Sequence, residues 1–170
     1  RGLGAAAAGV KTYVGTDPNP RLLGGYARLK AAVAEGGLPT RIEFVPKPFE
    51  DFALDDVAGP FAPDLMFTSP PFFDFETYND GDARQSTSVA PTFDGWLAWF
   101  VAAAVKAYGL IRPGGYLAYY FVDFRPRGAR KPSEAVIAAV RLAGGAFRGV
   151  IAARRGAKRP IPVWVFQKPE

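Results

Sequence analysis

The chain has 170 residues, a net charge of +5 and 49% hydrophobic residues, which suits one packed core and is too apolar for a disordered tail. It has no cysteine and no histidine, so disulfides, thiolate metal sites and histidine-based nucleophilic mechanisms within the chain are excluded. The basic balance favours a polyanionic partner through counterion release, and an ordinary solvated surface accounts for it equally well.

Arg1–Gly9 is small, helix-permissive and ends in glycine. Lys11–Thr16 (KTYVGT) reads as a short strand running into Asp17. Pro20–Gly36 places Leu22, Leu23, Tyr26, Leu29, Ala32 and Val33 at helical spacing, with Pro20 near its start and Gly36–Gly37 past its end. Arg41–Val45 (RIEFV) reads as a strand followed by a loop over Pro46–Asp51, and Asp64–Thr68 (DLMFT) as a buried parallel strand that Ser69–Pro71 stops. The stretch from Phe73 to Pro91 lacks periodicity and is long for a structureless loop, which reads as either a functional or a mobile segment.

Thr92–Tyr108 is a helix with Phe93, Trp96, Leu97, Phe100, Val101, Ala104 and Val105 on one wide face. A turn at Arg112–Gly115 leads to a strand over Tyr116–Val122. Pro132–Leu142 is a further helix, capped by Ser133 or a nearby polar group and stopped at Gly144–Gly145. Phe147–Ala153 and Ile161–Gln167 are the last strands, joined by the basic loop Arg154–Arg159. No apolar run reaches the roughly 18 residues that span a bilayer, and no signal peptide is visible, so the expectation is an intracellular protein with no membrane segment.

Alternating helices and strands without an internal repeat predict a single doubly wound α/β domain over residues 1–170. Such a domain normally opens with a strand and a glycine-rich turn. Here the order opens on a helix, so the expected domain is N-terminally incomplete, with its first strand missing.

Three segments are candidates for the chemistry. In Thr68-Ser69-Pro70-Pro71-Phe72, the prolines fix φ and donate no backbone hydrogen bond, which leaves a rigid row of acceptors followed by an aromatic ring. Acceptors suit an amino group with two hydrogens to place, and a ring suits a flat base drawn out of its stack; a proline-stiffened strand exit is the plain alternative. Asp17, in Tyr13-Val14-Gly15-Thr16-Asp17-Pro18-Asn19, ends a strand where a Rossmann-like fold holds a ribose, or else caps the next helix. Lys47-Pro48-Phe49-Glu50-Asp51-Phe52 follows the next strand and is either a binding turn or a solvated acidic turn. Leu110-Ile111-Arg112-Pro113-Gly114-Gly115 is a turn that joins the long helix to the next strand.

The Ser-Pro-Pro-Phe segment resembles the (Asp/Asn/Ser)-Pro-Pro-(Tyr/Phe) motif of class I S-adenosylmethionine-dependent amino-methyltransferases, of the N6-adenine/N4-cytosine type. The resemblance spans roughly Gly4 to Lys168. It implies a Rossmann-like, mostly parallel sheet with an antiparallel last strand, and S-adenosylmethionine as cofactor. It assigns Asp17, with Pro18, to the ribose, and one of Phe49, Glu50 and Asp51 to the adenine. It assigns Ser69, Pro70, Pro71 and Phe72 to the target amino group. No metal is implied. Asp74, Glu76, Tyr78, Asp82, Gln85 and Ser86 fall in a segment that covers the target base in a subset of such enzymes. Two features depart from the pattern: the first glycine-rich motif is absent, and so is a target-recognition domain. The implied partner is nucleic acid, DNA ahead of RNA, with a partner subunit supplying recognition of the target. The alternative is a catalytically inactive accessory or scaffold subunit with the same fold. A nicotinamide dehydrogenase would explain Asp17 and leave the Ser-Pro-Pro-Phe segment without a role.

Overall fold

A computed structural model describes residues 1–73, 90, 92–123, 131–153 and 160–170. The chain divides into two compact units, Arg1–Phe61 and Ala62–Glu170.

The first unit is built around a strand–helix–strand crossover. Helix α1 (Gly2–Ala7) leads through Gly9, at φ +74°, into β1 (Thr12–Thr16). The expected helix from Pro20 begins as a 3₁₀ turn, Pro20–Leu22, before α2 (Leu23–Glu35). Asn19 caps that turn, its side chain accepting from the Arg21 N–H. Asp17 accepts from the Asn19 N–H just ahead of this turn, and α2 itself has no side-chain cap. Strand β2 (Arg41–Val45) lies parallel to β1, with Thr12 opposite Arg41 and Thr16 opposite Val45. Ala6, Val33 and Ile42 form the core of the unit, with Tyr13, Leu38 and Phe44 packed against it.

The second unit is a four-stranded sheet in the order β3-β4-β6-β5. Its strands are β3 (Leu65–Thr68), β4 (Tyr116–Tyr120), β5 (Ala146–Ala153) and β6 (Ile161–Gln167). β3 and β4 are parallel, whereas β6 lies between β4 and β5 and is antiparallel to both. The antiparallel last strand is thus present, in the interior of the sheet rather than at its edge. A register shift between Phe147 and Gly149 lets β5 keep pace with β6, and Gly149 takes φ +130° there, which a side chain would strain.

Helix α3 (Phe93–Leu110) is capped by the Thr92 hydroxyl, which accepts from the Gly95 N–H at 3.1 Å. It buries Phe93, Trp96, Phe100 and Ala104, then turns to Ala107 and Tyr108, leaving Val105 exposed although the periodicity placed it on the core face. Phe100 meets Tyr119 and Phe121 edge-on at 5.2 and 5.1 Å, and Phe121 stacks on Trp164 at 5.6 Å. Removing one such buried ring costs about 3–5 kcal/mol. Lys168 closes the far end of the helix, donating to the carbonyls of Gly109 and Ile111 at 3.0 and 2.9 Å.

Two expectations are corrected. β3 is not a buried strand: Leu65 and Phe67 on one face stand 57% and 45% exposed and Met66 and Thr68 on the other are half-buried, because an apolar run favours a strand without deciding what packs over either face. Helix α4 (Pro132–Leu142) is not capped by Ser133, which lies inside its first turn. Asp123, just beyond β4, accepts from both the backbone N–H and the hydroxyl of Ser133.

Candidate functional site

The first unit holds a cleft at the end of its parallel strands. Asp17 leaves β1 with its N–H donating to the Val45 carbonyl at 3.2 Å. The Thr16 hydroxyl donates to the Lys47 carbonyl at 2.8 Å, so the chain leaving β1 is tied to the chain leaving β2. The Asp17 carboxylate makes two contacts. Oδ1 accepts from the Asn19 N–H at 2.8 Å, and Oδ2 accepts from the Tyr26 hydroxyl at 2.6 Å. A carboxylate offers roughly four acceptor positions, so about one on each oxygen is left.

Tyr26 reaches Asp17 from α2. Its ring lies flat on Phe44 of β2, with centroids 4.0 Å apart and planes 8° apart. Gly15 makes room for this stack, since a Cβ there would stand 2.9 Å from the Phe44 ring. Burial, then the hydrogen bond and charge of Asp17, push the Tyr26 hydroxyl well above the usual phenol range, and Tyr13 adds to the shift. Tyr26 is therefore a protonated donor at neutral pH.

The cleft has a volume of about 240 Å³ and is lined by Arg1, Gly2, Tyr13, Gly15, Thr16, Asp17, Tyr26, Leu29 and Phe44. Pockets for whole drug-sized ligands run roughly 300–1,000 Å³, so this space suits one ring system with its polar edge. The groups it offers are the remaining acceptor positions on the two Asp17 oxygens and the aromatic faces of Tyr13, Tyr26 and Phe44, the kinds of group that the sugar of a nucleoside would need.

The other residues assigned to the cofactor lie outside the lining. Pro18 is half-buried beside Asp17. Phe49, Glu50 and Asp51 form a 3₁₀ turn after β2, where Phe49 stacks at 6.3 Å on the buried Phe52 and the two acids are exposed. Glu50 and Asp51 thus stand at the surface of the turn and Phe49 against its core.

In the second unit, Ser69, Pro70, Pro71 and Phe72 leave the end of β3, with Pro70 buried and the others half-buried. The Trp96 indole of α3 donates to the Pro71 carbonyl at 2.9 Å. Phe73 then takes φ +23°, an uncommon conformation for a non-glycine residue. Its ring sits edge-on to Phe93 at 5.8 Å and tilted against Trp96 at 6.2 Å. The exit from β3 is thereby pinned from beneath by helix α3. Sequence reading placed Trp96 in the core and missed this role; the one available signal was an indole N–H that needs an acceptor when buried. Asp74, Glu76, Tyr78, Asp82, Gln85 and Ser86 lie outside the described residues, as do Arg154, Arg155, Lys158 and Arg159.

No protein-family model matches the sequence, and no curated protein is similar to it. Solved structures are similar in fold. A methyltransferase from Pyrococcus furiosus superposes with a TM-score of 0.51 at 13% identity, over 92% of this chain and 62% of its own. The N-methyltransferase NodS from Bradyrhizobium japonicum gives 0.54 at 14%, over 92% and 73%. TrmN from Thermus thermophilus gives 0.56 at 18%, over 98% and 40%. The chain thus spans less than two thirds of the length of two of these three. Its fold is the Rossmann-like α/β fold of methyltransferases.

Proposed function

We propose that the protein is an S-adenosylmethionine-dependent methyltransferase that acts on an exocyclic amino group of a nucleic-acid base, adenine N6 or cytosine N4. The observation that carries this reading is the turn at Ser69–Phe72: two prolines at the exit of a parallel strand, acceptor-rich, ending in an aromatic ring and fastened to α3 through the Pro71 carbonyl. The fold supports the cofactor class, and the acceptor positions left on Asp17 support a ribose at the end of β1.

When bound, S-adenosylmethionine supplies a methyl group on a sulfonium whose leaving group is a neutral thioether, chemistry that asks little of acids and bases. A chain without histidine can meet that demand by placement alone. In this reading Asp17, beside Pro18, accepts from the ribose hydroxyls, and the turn Phe49–Glu50–Asp51 borders the adenine. Ser69 and the Pro70 carbonyl accept from the target amino group and aim its lone pair, Pro71 holds their geometry, and Phe72 stacks on the base. The partner is nucleic acid, DNA ahead of RNA, with another subunit contributing recognition of the target. In this reading residues 1–170 belong to a single methyltransferase domain that is N-terminally incomplete.

Ser69→Ala and Phe72→Ala should each lower methyl transfer at least tenfold, with S-adenosylmethionine affinity by calorimetry unchanged. Unchanged turnover in both variants contradicts the assignment. A second reading, an inactive accessory subunit, draws on the fact that both Asp17 oxygens already have partners within the chain. It predicts no heat of binding with S-adenosylmethionine, whereas the enzyme reading predicts micromolar affinity.

A further inference from the structure

A carboxylate that must grip two adjacent hydroxyls works best when it does not rotate. Asp17 sits at a strand end beside a cleft, where a short side chain has rotamer freedom to lose on binding. Two donors remove that freedom. The Asn19 N–H fixes Oδ1 at 2.8 Å from the backbone of the same turn. The Tyr26 hydroxyl fixes Oδ2 at 2.6 Å from a different element, α2. Tyr26 is itself held, because its ring is stacked on Phe44, whose position depends on the missing side chain at Gly15.

We propose that Tyr26 is a positioning residue of the ribose site, holding Asp17 in the one orientation that leaves an acceptor position on each oxygen for a vicinal diol. The proposal rests on the cofactor reading given above. It makes the chain selective for ligands with both ribose hydroxyls and places part of that selectivity on a residue that touches only the carboxylate. Nothing in the stack on Phe44 requires the hydroxyl, so Tyr26→Phe removes the hydrogen bond and keeps the ring.

The test is calorimetric titration of the wild-type protein and Tyr26→Phe with S-adenosylhomocysteine and with its 2′,3′-dideoxyribose counterpart. Tyr26→Phe should weaken S-adenosylhomocysteine about five- to tenfold, and the dideoxy ligand less than twofold. An equal loss for both ligands would mean that the hydroxyl merely supports the fold. Unchanged affinity for S-adenosylhomocysteine, or a gain, would mean that the hydroxyl is idle or competes with the ribose; each of these results overturns the proposal and leaves the cofactor reading standing. Failure of the wild-type protein to bind S-adenosylhomocysteine overturns both. Tyr26→Leu, which also removes the stack, should weaken the two ligands together.

Discussion

An acid at the end of a strand is legible as a candidate acceptor, and the structure places the Asp17 carboxylate in the cleft with the Asn19 N–H and the Tyr26 hydroxyl as its partners. Tyr26 was not legible. In the sequence it is one more apolar-spaced residue of a helix, and its hydroxyl acquires meaning only when α2 folds back over β2 and brings it to Oδ2. The carboxylate is predicted to act through its charge as well as its shape. Asp17→Asn should weaken S-adenosylhomocysteine about 10- to 100-fold, the scale of a charge-assisted hydrogen bond. Thermal shift offers a direct check. Ligand at a hundred times its wild-type Kd stabilises the wild-type protein by about 2.7 kcal/mol, and the same concentration should move Asp17→Asn much less. An equal shift would place the ligand elsewhere.

At the level of elements, the informative pair is the β3 exit and helix α3. The strand and its proline stop could be read from a short apolar run and two residues that cannot continue it. The way the stop is held could not, since Trp96 lies 25 positions from Pro71 in sequence. Trp96→Phe keeps a ring against Phe100, 5.5 Å away, and deletes the indole N–H. The loss should destabilise the protein by about 1–2 kcal/mol in urea unfolding and lower kcat several-fold, with cofactor affinity unchanged. A variant with wild-type kcat would show that the turn keeps its form unaided. The cap of α4 teaches a similar lesson. Ser133 is the polar residue nearest the helix start, yet Asp123, ten positions away, supplies the acceptors.

For the whole molecule, the alternation of helices and strands was enough to read an α/β fold, because periodicity is a local property. The insertion of β6 between β4 and β5 is not local: it is decided by which backbone edges meet, and Trp164 and Phe166 would look the same in a strand at the edge. The exposure of Leu65 and Phe67 is likewise invisible in the apolar run that holds them, since it depends on what packs over that face of β3. Among the described residues no helix is long and apolar enough to cross a membrane. The fold alone leaves chemistry open, since one fold hosts many reactions, so the choice of an amino target depends on what Ser69–Phe72 does to a substrate. The decisive measurement is incubation of the protein with methyl-labelled S-adenosylmethionine and unmodified DNA or RNA, followed by digestion and mass spectrometry of the nucleosides. The amino-group assignment predicts label on adenine N6 or cytosine N4, abolished together by Ser69→Ala and Phe72→Ala. Label on a ring carbon or a ribose hydroxyl, or no transfer from a protein that binds the cofactor, would contradict it.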